Sequence, residues 1–291
     1  MTSFVTFSSH VFLCLWWQSD CPNSLFFQAN PITKKQILRS KNTMKKSFVI
    51  LALASTLSVS GQAQSLIGGW DFQTTTNGGT AVLASPATPK VYLANFGSGT
   101  LYLDGTQGSS EWFVPATGST GTELNGFGGT SINASNGLSS VTTSPSALAL
   151  VNQTANGKFA VFKFDLSSIV DPVQITFAAQ RTSTGFSSQT WEWSTDGTTY
   201  NLIGALVGGT NAGTLQSSFA NSGILELPQF SDLSGQADAY VRVTFDGASA
   251  SSGNNRMDNI QFNAVPEPST YAMLALAGAG FAGYVIRRRR R

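Results

Sequence analysis

"QTWEWSTDGTTYNLIGA" runs from Gln189 to Ala205. In an extended chain successive side chains point to opposite faces, so Trp191 and Trp193 fall on one side and Glu192 on the other. Asp196 and Gly197 break the run with a pair suited to a tight hairpin turn, and a second apolar run begins at Tyr200. A helix would space its apolar residues three and four apart. Here they recur at every second position, so the stretch reads as two antiparallel strands and their turn.

The same period appears on both sides of it. "KFAVFKFDL" (158–166) sets Phe159, Val161 and Lys163 against Ala160, Phe162 and Phe164, and "VQITFAAQ" (173–180) gathers Val173, Ile175 and Phe177 on one face. "YVRVTF" (240–245) separates Val241, Val243 and Phe245 from Tyr240, Arg242 and Thr244, and "NIQFNA" (259–264) offers Ile260 and Phe262. Gly, Asn and Asp lie between these runs, and no capped 3.6-residue stripe occurs before the C-terminal tail. The expected class is all-β, an antiparallel sandwich or barrel of roughly ten strands over residues 64–265, large enough to bury a core without disulfides. Two smaller β-domains parted near Thr142–Ser146 are the alternative.

Charge divides the 291 residues into three blocks. Residues 1–64 carry six Lys/Arg against Asp20, residues 65–265 carry six against thirteen Asp/Glu, and residues 266–291 carry five Arg against Glu267. An acidic middle repels phosphate backbones and argues against a nucleic-acid partner. Cys14, Cys21 and His10 all precede residue 64, so the body beyond it has no thiol or imidazole chemistry and no Cys/His zinc site.

"MKKSFVILALASTLSVSGQAQS" begins at Met44. Lys45 and Lys46 form a positive start, Ser47–Val59 is apolar, and Gly61 and Ala63 place small residues at −3 and −1 of a cleavage site. Residues 44–63 therefore read as a signal peptide, cut after Ala63, with the secretion translocon and signal peptidase as partners. Residues 1–43 show no period and read as a misassigned upstream extension, or as a lengthened leader.

At the other end, Thr270–Ile286 is 17 residues without charge. As a helix it would reach roughly 25 Å, the lower limit for a bilayer span. Arg287, Arg288, Arg289, Arg290 and Arg291 follow at once and would hold the C-terminus in the cytoplasm, with the body outside. Pro266-Glu267-Pro268, the apolar stretch and the arginines resemble, in that order, the PEP-CTERM sorting signal of Gram-negative bacteria. The resemblance implies recognition by a membrane-embedded exosortase, a transient stay in the inner membrane with the body in the periplasm, and delivery to the cell surface or extracellular matrix beside exopolysaccharide. The prolines suit that role, because they remove amide donors and hold the motif extended at the membrane surface.

"WEWSTDGTTYNLIG", "AYVRVTFDGASASSGNNRMDNIQF" and, as a matching first strand, "GGWDFQ" (68–73) resemble the jelly-roll sandwiches of bacterial surface proteins, a superfold with many functions. A jelly roll that pairs its first and last strands would gather Asp71, Asn254 and Asp258, with Asn255 beside them, as oxygen ligands for a structural Ca²⁺. The bland counterpart is an Arg256–Asp258 ion pair. Trp70, Trp112, Trp191 and Trp193 are candidates for sugar stacking. Trp112, in "SSEWFVP", is the carbohydrate-binding candidate, because the strand tryptophans suit a core. Paired carboxylates for glycoside hydrolysis are the weakest reading, since Asp104, Asp196 and Asp246 each precede a glycine and suit turns. "NGFGGT" (125–130) reads as a turn. The residues thus point to a non-enzymatic structural or adhesive protein, with a carbohydrate-binding module as the alternative.

Overall fold

The computed structural model describes residues 64–84, 86–115, 121–266, 277, 278, 280, 284 and 287–289. The upstream extension and the signal peptide lie outside these residues, as do Glu267, Pro268 and most of the apolar tail. Arg287–Arg289 are helical and exposed, and no helix among the described residues is long and apolar enough to cross a membrane.

Thirteen strands follow one another. They are β1 (Ser65–Trp70), β2 (Val91–Leu93), β3 (Phe96–Gly97), β4 (Thr100–Tyr102), β5 (Leu124–Phe127), β6 (Ala147–Val151) and β7 (Phe159–Phe164). Then come β8 (Val173–Arg181), β9 (Ser188–Ser194), β10 (Asn201–Val207), β11 (Ile224–Glu226), β12 (Ala239–Asp246) and β13 (Asn254–Ala264). A single helical turn, α1 (Phe219–Ser222), precedes β11. Every pairing within the two sheets is antiparallel, as expected for short alternating runs joined by turns.

The first sheet runs β11–β8–β13–β1–β3, with β6 also on β13 and β5 on β6. The second runs β10–β9–β12–β7–β4–β2. Strands from before and after Thr142–Ser146 share both sheets, so that segment is a connection inside one sandwich. Between the sheets the alternation is obeyed. Trp70 meets Phe162, Phe164 and Phe262 edge-on at 5.0, 5.8 and 5.8 Å, and Trp191 stacks on Phe162 at 6.0 Å. Each such ring removes some 150–250 Å² from water and dominates the core. Trp193 is partly buried against the same cluster.

The hairpin of the opening stretch forms, with a longer loop than a two-residue turn. Gly197 takes φ 70, and the Asp196 carboxylate accepts the Thr198 and Thr199 amides at 2.8 Å each. These bonds hold its carboxyl well below the usual range. The first strand ends sooner than "GGWDFQ" suggested. It stops at Trp70, because Asp71 turns away and Phe72 adopts φ 54.

The long strand β13 organises the first sheet. β8 flanks one side of it, while the other side is shared: β6 takes Asn254–Met257 and β1 takes Ile260–Ala264. Between these partners, at Asp258 and Asn259, the register with β8 slips and Asn259 adopts φ 47. A bulge at the junction of two partner strands is where a ladder can turn side chains to another use.

Candidate functional site

The junction gathers acids. Asp71, just past β1, and Asp258, on β13, are both fully buried. Asp71 Oδ1 accepts the amides of Gln73 at 2.9 Å and Thr74 at 2.8 Å, and Oδ2 accepts the Ser139 amide at 3.0 Å. Asp258 Oδ2 accepts the Thr130 amide at 2.7 Å and Oδ1 the Asn259 amide at 2.8 Å. Burial drives the Asp258 carboxyl up to about 8, the nearby Asp71 charge pushes the same way, and the two amides oppose them.

No cation relieves this pair among the described residues. Their ion pairs are Lys90–Glu111, Lys158–Glu123, Lys163–Asp238 and Arg242–Glu192. The Arg256–Asp258 pair is not made. The Arg256 guanidinium lies 4.3 Å over the Phe127 ring instead, and burial lowers its proton affinity. Asn254 is not at the junction either. Four residues upstream on an extended strand is about 13 Å; there its backbone amide donates to Thr182 Oγ1 at 3.0 Å and its buried side-chain Oδ1 has no hydrogen-bond partner. Of the three expected calcium ligands, Asp71 and Asp258 share the junction and Asn254 lies apart from them.

A third oxygen donor was not foreseen. Asn259 is fully buried, donates through Nδ2 to the Thr130 and Ile132 carbonyls at 2.9 and 3.0 Å, and leaves Oδ1 without a partner. Carboxylate and amide oxygens are the donor types a hard cation takes, and one bound by Asp71 and Asp258 would hold Asp258 ionised. They fall short of a closed cage: no group of three acids, histidines or cysteines with metal-binding geometry occurs among the described residues.

The lid over this junction comes from "NGFGGT". Asn125–Phe127 belongs to β5, and Gly129 then passes so close that a Cβ there would sit 2.3 Å from Asp258 Oδ2 and 2.8 Å from Ser146 Oγ. From Thr130 to Ser139 the chain crosses the outer face of the first sheet. Asn136 Nδ2 donates to Gln261 Oε1 at 2.6 Å, and Gln261 Nε2 donates to the Asn133 carbonyl at 2.6 Å and to Ser135 Oγ at 2.8 Å. From the sequence, "NGFGGT" (125–130) reads as a turn, and nothing in the pattern marks the residues after it.

The aromatic candidates are placed differently from the expectation for Trp112. It is fully buried, edge-on to Phe245 at 5.8 Å, with its Nε1–H donated to the Phe159 carbonyl at 3.2 Å. A buried indole offers no face to a sugar. Trp70 and Trp191 are also buried. On the outer face of the second sheet a group of aromatics lies outside the core, where Arg242 sits 3.9 Å over Tyr200 and 5.0 Å over Phe159, and Lys163 sits 5.1 Å over Tyr240.

The sorting motif begins where the fold stops. Ala264 pairs with Ser65 and Val173, the Val265 amide donates to the Pro172 carbonyl at 2.8 Å, and Pro266 is half-buried. Residues 264–291 match the model of the PEP-CTERM protein-sorting motif. No curated protein matches the chain. Among solved structures, TmCBM61 in complex with β-1,4-galactotriose is similar at 8% identity and TM-score 0.29, over 48% of this chain and 81% of that one. The C-terminal family 22 carbohydrate-binding module of Clostridium thermocellum Xyn10B is similar at 20% identity and TM-score 0.29, over 42% and 73%. The tandem CBM22 domains of Paenibacillus barcinonensis Xyn10C are similar at 12% identity and TM-score 0.31, over 73% and 49%. Scores this low carry nothing about ligand or activity. The class defined by the chain itself is an antiparallel β-sandwich that ends in a PEP-CTERM sorting motif.

Proposed function

We propose that this chain is an exported, exosortase-sorted protein of the cell surface or extracellular matrix, with a structural or adhesive role beside exopolysaccharide and no catalytic activity. The signal peptide takes it through the translocon. The apolar tail then holds it in the inner membrane with the body in the periplasm, and Pro266-Glu267-Pro268 presents it to exosortase. The observation that carries this reading is the position of the motif match, which starts on the last residue of the closing strand and so adds an address to a finished body. The composition agrees, because the body from residue 64 onward has neither His nor Cys.

Intact mass of the protein recovered from its native cells tests the reading. The expected species starts near Gln64 and has lost the arginines, and replacing Pro266-Glu267-Pro268 by alanines leaves the full tail attached in the membrane fraction. A protein found whole in the cytosol would sink it. Carbohydrate binding is the second reading, and the aromatic and cationic outer face of the second sheet supports it. Saturable binding to a neutral glycan, weakened by Tyr240→Ala but not by Trp112→Phe, is the expected signature.

A further inference from the structure

Both chain ends leave the sandwich from the same pole. Ser65 and Ala264 are paired neighbours, Val265 is tied to Pro172, and the turns 165–172 and 231–238 lie at that end. Two residues before Pro172 is Val170, 83% exposed, the highest value among the large apolar side chains of the described residues. An apolar residue on its own at a loop tip needs no explanation. One placed within two residues of the point where a membrane-directed tail departs does.

The tether is short. From Pro266 to Thr270, the first residue of the uncharged stretch, there are four residue steps, at most about 14 Å of extended chain. A domain several times that size cannot stand clear of a bilayer on such a link. We propose that this pole rests on the lipid surface, with Val170 at the interface, for as long as residues 270–286 stay in the membrane. The inference rests on reading 270–286 as a membrane segment and adds which face of the body meets lipid.

The contact is enforced by the tether rather than by affinity. Asp165, Asp171, Asp232 and Asp238 lie in the turns of this pole, only Asp238 with a cation (Lys163) beside it among the described residues, and negative charge gains nothing from an anionic headgroup layer. The opposite pole differs. Its turns 182–187 and 248–253 carry no charge and are joined through the Ser249 amide, which donates to the Thr184 carbonyl at 2.9 Å. These turns face outward.

Single-cysteine chains test the orientation. In the full chain with Cys14 and Cys21 changed to serine, Val170→Cys or Ser251→Cys is labelled with a fluorophore in isolated membranes, and a quencher carried on lipid is added. Both positions are exposed, so neither substitution endangers the fold. Loss of most of the signal at 170 and little at 251 is expected. A flexible Gly/Ser insert after Val265, long enough to lift the body, should bring 170 down to the level of 251. Equal quenching at the two positions, with the chain still resistant to carbonate extraction, overturns the orientation. A chain that carbonate strips from the membrane removes the membrane reading, and this inference goes with it.

Discussion

The two sheets have opposite outer faces. On the first sheet that face is roofed: Asn259 and Gln261 on β13 are buried beneath the segment from Thr130 to Ser139, and side-chain amide hydrogen bonds fill the space between them. On the second sheet the face is largely open. Arg242 and Lys163 lie across Tyr200, Phe159 and Tyr240 and are tied to Glu192 and Asp238. Polar groups on the roofed face have no water to fall back on, so each bond made there matters. On the open face water replaces a lost partner. The same chemistry should therefore be costly on one side and cheap on the other.

The largest effect expected is at Asn259. Asn259→Ala removes the donors to the Thr130 and Ile132 carbonyls, strands both beneath the roof, and puts alanine at φ 47. A loss of about 2–4 kcal/mol in urea unfolding follows. A loss near zero would mean that the roof is not closed in solution. Gln261→Ala should come close behind, because it strands Asn136 and the Asn133 carbonyl together.

Next is the acid pair beneath the roof. A carboxyl raised from 3.8 to about 8 in the folded state favours folding when protonated. In a chelating buffer, this group's contribution to stability should therefore be full below pH 4 and be lost as pH rises through about 8. Asp258→Asn should flatten that decline. Calcium added at pH 8 should restore stability in the wild type and do nothing for Asp258→Asn. A melting profile in which calcium has no effect would leave Asp71 and Asp258 as a strained pair without a ligand.

What the sequence showed, and what it hid, follows the same division. Period two gave the correct inner faces of β7, β8, β9, β12 and β13, because burial on one side forces alternation. It was silent on the roof, which has no period of its own. "NGFGGT" and the Asn/Ser run after it look like turn residues whether they end in water or lie on a sheet. Asn259 and Gln261 alternate as a solvent face would. Only the partner segment, more than a hundred residues earlier in the chain, turns that face into an interior. Trp112 misled for a related reason: its neighbours Glu111 and Phe113 are exposed, so the local pattern resembles a surface loop, while the indole is swallowed by Phe186, in the turn before β9, and Phe245 on β12. The pair Asp71 and Asp258 was legible because first and last strands were expected to meet. Asn254 was not excluded, because distance along a strand becomes visible only once the register is known.

The open face supplies the smallest effects, and they are the ones that sharpen the contrast. Arg242→Ala loses a guanidinium bonded to Glu192 Oε2 at 2.7 and 2.9 Å and stacked between two rings, with both partners about one-fifth exposed, so about 1 kcal/mol is expected. Lys163 is the limiting case. Its ammonium reaches Asp238 at 3.0 Å, but that carboxylate's side chain is 64% exposed, so water competes for both ends. Lys163→Ala should cost less than about 0.5 kcal/mol, and moderate salt should erase even that. If Lys163→Ala instead matched Gln261→Ala in urea unfolding, the face around Tyr240 would have to be covered in solution as well. The open side of the sandwich would then already hold a partner.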